Sequence, residues 1–285
     1  MHTSTHQLVL ERDAAIDLQV HTVYSDGDWL PEQLIDHMQS EGFALAAITD
    51  HDRADTVAMI QQLAIEKSFP VLVAVEMTTE WKGEMTDVLC YGFDPQKNAL
   101  NTLAQDVLRR QQDNTRAVYD HLIREGLTFA NGELEAVLAK PSAQQPHELV
   151  ALLKRYDYGT PERSAGKMLM EGGIAFAMTP TAAVVEAGHH DGAVCLLAHP
   201  GRDDGFVPFD VARLDALRRE VPIDGLEVHY PLHTPERTAV FLEYAQRHDL
   251  LMSSGSDSHR PSKLPIKYPA ELSRKLLERV GIEVR

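Results

Sequence analysis

Seven short runs rich in apolar and β-branched residues recur along the chain: residues 15–21 (AIDLQVH), 44–51 (ALAAITDH), 70–76 (PVLVAVE), 87–93 (DVLCYGF), 193–199 (AVCLLAH), 224–230 (DGLEVHY) and 250–259 (LLMSSGSDSH). Most are apolar almost throughout, with little polar alternation, which predicts strands covered on both faces. Helical patterns fall between several of them, over Pro31 to Glu41, Asp55 to Lys67, Asp210 to Glu220 and Thr234 to His248. Strands alternating with helices in this way predict a mainly parallel sheet with helices on its faces, and we expect an α/β barrel.

Residues 98–178 break the rhythm, because they read as successive helices (LNTLAQDVLRRQQDNTRAVYDHLIREG, GELEAVLAK, HELVALLKRY) with no strand. The stretch is too long for a simple crossover. We expect a barrel made of residues 1–97 and 179–285, with residues 98–178 as a helical insertion lying over one end and able to supply a lid.

Composition narrows the function. With 43 acidic against 27 basic residues the net charge is −16, so long-range attraction to a duplex backbone is absent and a small substrate or a strand end is the expected partner. Cys90 and Cys195 both lie inside apolar runs and read as core residues, not as a disulfide framework. No apolar stretch reaches the length of a membrane span and the start lacks a signal-peptide pattern, so no membrane partner and a cytoplasmic location are expected. Histidine stands out with 14 copies, of which His2, His6, His37, His121 and His248 sit in polar or helical surroundings and read as surface residues.

In a parallel barrel the working groups belong at the C-terminal ends of the strands. The first run ends in Gln19 and His21, with Asp26 in the following loop. The second ends in Asp50, His51 and Asp52, and the third in Glu76. His199 closes the fifth, Glu227 and His229 the sixth, and Asp257 and His259 the last. Taken singly, an acid after a strand reads as a turn former or helix cap, and Asp50 and Asp52 are open to that reading. Taken jointly they place potential ligands on one face, and several carboxylates share a buried site at tolerable cost only if cations neutralise them. A turn at Lys82-Gly83 would return the chain so that Asp87 lies beside Glu76; a solvent-facing cap is the alternative for Asp87.

The blocks IDLQVHT-VYSDGD, AITDHD, VAVEMTT, LLAHPGR, GLEVHYPLHT-PE and SSGSDSH together resemble the signature of the PHP (polymerase and histidinol phosphatase) family of metal-dependent phosphoesterases, in particular its nucleotide phosphatase and exoribonuclease branch. The resemblance spans nearly the whole chain in family order. It implies a distorted seven-stranded (β/α)7 TIM-like barrel with a helical insertion, and two or three divalent ions (Mn, Fe or Zn) in three sites. The first would hold Gln19, His21, Glu76 and Asp257; the second Glu76, Asp87 and His147; the third Asp26, His51 and His259. Four positions depart from the family pattern. Gln19 replaces the first His of a His-x-His pair, Asp87 stands where most members have His, and Gln145 or Gln144 and Gly173 replace two basic residues that would contact phosphate.

The implied activity is hydrolysis of a phosphate ester of a nucleotide-like or other small substrate by metal-activated hydroxide. His199 and Asp50 are the catalytic candidates, His199 as proton donor to the leaving group. Arg202, His233 and Glu227 are candidates for substrate contact. Two other readings compete. A hydrolase of a non-phosphate substrate fits the missing basic residues, and a non-catalytic PHP-like module fits the altered ligands; a substrate panel separates the first and metal analysis the second.

Overall fold

The computed structural model describes residues 3–285, and His2 lies outside them. The chain runs β1 (Val9–Leu10), β2 (Ala15–Val20), α1 (Pro31–Ser40), β3 (Leu45–Ile48), α2 (Val57–Lys67), β4 (Val71–Leu72), β5 (Ala74–Trp81) and β6 (Glu84–Tyr91). Four helices follow: α3 (Ala99–Arg124), α4 (Glu133–Leu138), α5 (Gln145–Arg155) and α6 (Ala165–Glu171). It continues with β7 (Thr179–Pro180), α7 (Thr181–His190), β8 (Val194–Leu197), α8 (Val211–Glu220), β9 (Gly225–His229), α9 (Pro235–Arg247) and β10 (Leu251–Ser254), and closes with β11 (Tyr268–Pro269), α10 (Arg274–Arg279) and β12 (Glu283–Val284).

All seven apolar runs contain strands, but the ladders do not close into one seven-stranded sheet. They form a six-stranded sheet in the order β10-β9-β8-β6-β5-β7, a four-stranded sheet β11-β2-β3-β4 and the small pair β1-β12. The fold is thus mixed α/β. It is also less parallel than expected, since β6 runs antiparallel to both β5 and β8. The cause is local: Lys82 and Gly83 take φ of 55° and 77°, the two positive values of a two-residue hairpin turn whose twist suits antiparallel strands. The two larger sheets are stitched where their strands end. His21 donates its backbone N–H to Ser258 (2.9 Å), Asp257 donates to Gln19 (2.9 Å), and Asp52 donates to Glu76 (2.9 Å).

Period-two alternation sorts side chains between two cores. Leu45 and Ala47 of β3 join Ile16, Leu18, Leu89, Tyr91 and Leu196 on one side, while Ala46 and Ile48 pack with Leu34, Ile35 and Met38 of α1 and Ile60 of α2 on the other. Helix starts are fixed by local chemistry. Pro31 occupies the first turn of α1, Asp210 accepts from the N–H of Arg213, and Thr234 accepts from that of Arg237.

Contacts divide the chain into two compact units, residues 1–103 with 179–285 and residues 104–178. The second unit has its own apolar core, built on Val118, Leu122, Leu149, Leu152, Leu153 and Leu169. His37, His121 and His248 are half-buried, and the His248 ring packs on Tyr244 at 4.4 Å between centroids. Among the described residues no helix is long and apolar enough to cross a membrane.

Asp17 is a buried carboxyl in the strand interior, accepting backbone N–H groups from Ser256 (2.9 Å), Ile266 (2.9 Å) and Gln19 (3.2 Å). Burial pushes its pKa up to about 6 despite those bonds. A raised carboxyl pKa favours the folded state most below the unfolded value near 4, and that contribution is lost as pH rises through 6. We therefore expect the wild type to lose about 3 kcal/mol relative to Asp17→Asn between pH 4 and pH 7. Urea melts of both proteins across that range measure it, and parallel pH curves would refute it.

Candidate metal centre

The segments after β2, β3 and β10 bring His21, Asp26, His51, Asp257 and His259 of the first unit into one interior, where they meet Asp87 of β6 and Glu76, which lies near the start of β5 and not at the end of a strand as expected. His21 is at its middle: Nε2 lies 3.1 Å from Glu76 Oε2 and 3.2 Å from Asp257 Oδ1, and Nδ1 lies 3.8 Å from Asp26 Oδ1. The His259 ring stacks on His21 at 4.1 Å and the His51 ring at 4.8 Å. His259 donates Nδ1–H to the backbone oxygen of Asp257 (2.9 Å), which leaves the Nε2 lone pair toward Asp26 Oδ2, 3.3 Å away. Donor atoms fall into three groups, each within 4.8 Å internally: His21, Asp26, His51 and His259; His21, Glu76 and Asp257; and His51, Glu76 and Asp87.

The hairpin explains Asp87. Thr78 pairs with Asp87 and Glu76 with Leu89, so Asp87 and Glu76 sit diagonally on one face of the sheet. His147 belongs to the second unit, in the first turn of α5, where its ring lies against Phe176 at 5.8 Å.

Charges in this interior are strongly interdependent. Burial raises the Glu76 pKa, but His51, His199 and His21 together hold it well below the usual carboxylate range. Burial likewise opposes ionisation of Asp26 and Asp257, yet His51 and His259 hold Asp26 down, and His21 and His259 hold Asp257 down. For His21 burial lowers the pKa and Asp257 and Glu76 more than reverse it. Asp87 goes the other way, pushed well up by burial and by repulsion from Glu76 and Asp52. Gln19 Oε1, both His21 ring nitrogens, Asp87 Oδ1, His199 Nδ1 and Glu227 Oε1 are buried without a hydrogen bond. So many unsatisfied lone pairs in one place are expensive unless an electrophile meets them. Imidazole and carboxylate donors without thiolate suit divalent Mn, Fe or Zn, so the residues present fit such ions.

Four candidate site residues, Gln19, Asp50, Glu227 and His233, are engaged by other groups of the chain, and so is Gln145. Gln19 donates Nε2–H to Glu76 Oε2 (2.9 Å), so its amide orients that carboxylate; the reverse orientation would set two oxygens against each other. Asp50 is committed to the loop after β2, accepting from the Thr22 N–H, the Thr22 hydroxyl and the Ser25 hydroxyl, each at 2.7 Å. It clamps that loop. Glu227 is fully buried behind His199, whose N–H it accepts at 2.9 Å, and burial beside Glu76 pushes its pKa well up, so it positions His199. His233 accepts from the N–H of Gly201 (3.0 Å) and donates Nδ1–H to Val228 (3.1 Å). Both nitrogens are thereby used on the backbone, and burial lowers its pKa to about 4. Gln145 is buried, accepting from the Thr115 hydroxyl (2.9 Å) and donating to Lys140 O (2.9 Å). Arginine at that position would bury an unpaired charge, and we expect Gln145→Arg to destabilise the protein by about 3 kcal/mol, read as a lower thermal midpoint.

His199 and Arg202 stand at the edge of the cluster. His199 Nε2 lies 3.0 Å from Glu76 Oε1 and 3.8 Å from Asp87 Oδ2. Its φ of 25° and that of 53° at Asp257 are left-handed values that cost about 1–3 kcal/mol each and aim both side chains inward. Arg202 Nη1 is 3.7 Å from Asp257 Oδ2, with its guanidinium 4.8 Å over the Phe206 ring. Tyr230, which the sequence analysis did not single out, donates its hydroxyl to Asp257 Oδ2 (3.2 Å).

The chain is similar over most of its length to several characterised proteins. It is 27% identical over 255 residues to a 3',5'-nucleoside bisphosphate phosphatase of Chromobacterium violaceum, covering 88% of this chain and 89% of that one. It is 29% identical over 279 residues to the 5'-3' exoribonuclease Rnm of Escherichia coli (94% and 91% covered) and 27% identical over 256 residues to a phosphoribosyl 1,2-cyclic phosphate 1,2-diphosphodiesterase of Eggerthella lenta (85% and 93%). No family model matches. Among solved structures, a metal-dependent phosphoesterase from Bifidobacterium adolescentis superposes with a TM-score of 0.75 at 23% identity, covering 93% of this chain and 96% of that one, a likeness of fold.

Proposed function

We infer that this chain belongs to the PHP family and is a metal-dependent hydrolase that cleaves a phosphate ester of a nucleotide-like or other small substrate. The observation that carries this is the convergence of His21, Glu76 and Asp257 on one buried point, ringed by polar atoms that lack partners. The relatives differ in substrate, a nucleoside bisphosphate, an RNA end and a cyclic phosphate by their names, but they share cleavage of a phosphate ester. We read the two stitched sheets as one distorted barrel, with the cluster at its C-terminal mouth.

In this reading His21, Glu76 and Asp257 hold one divalent ion, Asp26, His51 and His259 a second, and Asp87 with Glu76 a further one. Bound divalent ions would supply Lewis-acid charge and lower the pKa of water enough to furnish a nucleophile at neutral pH. The rest is done by this chain's side chains. Gln19 and Tyr230 fix the Glu76 and Asp257 carboxylates, Asp50 holds the loop that carries Asp26, and Arg202 offsets charge on the phosphate. His199 holds a proton for the leaving oxygen. We propose that the enzyme works in the cytoplasm on a small substrate.

Protein stripped with a chelator and reloaded separately with Mn, Fe and Zn tests this. Phosphate or nucleotide release from a nucleoside bisphosphate, a 5'-phosphorylated oligonucleotide or a cyclic phosphate is expected with at least one ion. If every loaded form leaves all three untouched but cleaves an amide or lactone, the phosphoesterase reading fails.

A further inference from the structure

We propose a second, thiolate-containing metal site, built from His189, Cys195 and Asp224 at the opposite ends of the strands from the main cluster. His189 lies in the last turn of α7, Cys195 near the start of β8, and Asp224 immediately precedes β9. The main cluster lies beyond the other ends of these strands. One ligand atom from each of the three residues lies within 4.8 Å of the other two. His189 Nε2 is 2.8 Å from Asp224 Oδ2, and the same carboxylate oxygen accepts the Cys195 N–H at 2.8 Å, so the carboxylate is already fixed in place.

The sequence shows how the sulfur comes within reach of the imidazole. Gly188 precedes His189, and a Cβ there would stand 2.5 Å from Cys195 Sγ. Only glycine lets α7 approach β8 so closely, and that approach seats the next residue, His189, beside the buried thiol. Cys195 is fully buried, while the His189 and Asp224 side chains are 35% and 29% exposed, giving an ion a route in from solvent and a water as its fourth partner. One sulfur, one imidazole and one carboxylate suit zinc or another thiophilic divalent ion in tetrahedral coordination. Binding would convert Cys195–SH to a coordinated thiolate with release of one proton and no change of oxidation state. Cys90 Sγ lies 3.7 Å from Cys195 Sγ but outside the three-donor group. The site would tie the end of α7 to the entrances of β8 and β9.

Cobalt distinguishes this site from the main one, because the main cluster contains no sulfur. Co(II) is titrated into chelator-treated full-length protein under a phosphine reductant, and a near-ultraviolet thiolate-to-cobalt charge-transfer band is followed. The band is expected in wild type, in Glu76→Ala and in Cys90→Ser, and it is expected to vanish in Cys195→Ser. His189→Ala removes a partly exposed ligand with little risk to folding and should weaken the band-forming affinity by roughly tenfold or more, since losing even an outer partner of a ligand costs that much. A wild type without the band overturns the proposal, as does a band that follows Cys90 or persists unchanged in His189→Ala.

Discussion

Glu76→Ala is expected to empty the main cluster of metal and to lower kcat/KM on a phosphate ester by at least about 10³-fold, the scale of losing a principal source of transition-state charge stabilisation. Glu76 belongs to two donor groups at once and also meets His199. Its Oε2 lies near His21 and His51, 3.1 and 3.8 Å away, while Oε1 lies 3.0 Å from His199. No other carboxylate in the interior spans the groups in this way, so a single substitution dismantles two of the three. Folding should suffer less than metal binding. Glu76 raises the pKa of both Asp87 and Glu227, and its removal relieves that repulsion while stranding His21 and His51. Elemental analysis of protein purified under identical conditions, with circular dichroism to verify folding, gives the answer. A variant that keeps its metal complement would remove the basis of the functional reading.

The seven strand segments were legible because their apolar runs answer to one constraint, burial on both faces. Four flanking helices were legible through their helical patterns, and the structure adds the caps Asp210 and Thr234 at two of their starts. Strand direction was not, because an apolar run reads the same in either sense; β6 is antiparallel on account of two turn residues, Lys82 and Gly83. The two-residue strands β1, β7, β11 and β12 carry no pattern of their own. Within the site, position after a strand was enough to gather His21, His51, Asp257 and His259; Glu76 was found although it lies near the start of β5, whose hairpin continuation to Trp81 the apolar run 70–76 did not show. Position was not enough to tell a carboxylate facing the cavity from one facing backbone N–H groups. Asp50 and Asp257 occupy similar places in sequence, yet Asp50 is taken up by Thr22 and Ser25. For His233 likewise, polar type shows that a side chain needs partners and is silent on whether those partners are main chain. Gln145 and Gln19 show the converse, since each substitutes for a residue the family resemblance led us to expect and each is absorbed into a local hydrogen-bond network.

The proposed proton donor, His199, can be separated from the proposed metal ligands by the leaving group. His199→Ala is expected to retain metal, because the residues of the three donor groups are untouched, yet to lower kcat by roughly 10²–10⁴ on a sugar phosphate ester, whose alkoxide must be protonated as it departs. Nitrophenyl phosphate, whose leaving group departs without a proton, should be cleaved by the same variant at close to the wild-type rate. The contrast depends on geometry visible in the site. His199 faces Glu76 and Asp87 through Nε2, its backbone is held by Glu227, and its left-handed φ aims the ring inward. Steady-state rates on the two esters, with metal content measured on the same samples, decide the matter. An equal loss on both, accompanied by loss of metal, would make His199 a ligand; an equal loss with metal retained would leave it a positioning residue, and in either case protonation of the leaving group would fall to another side chain.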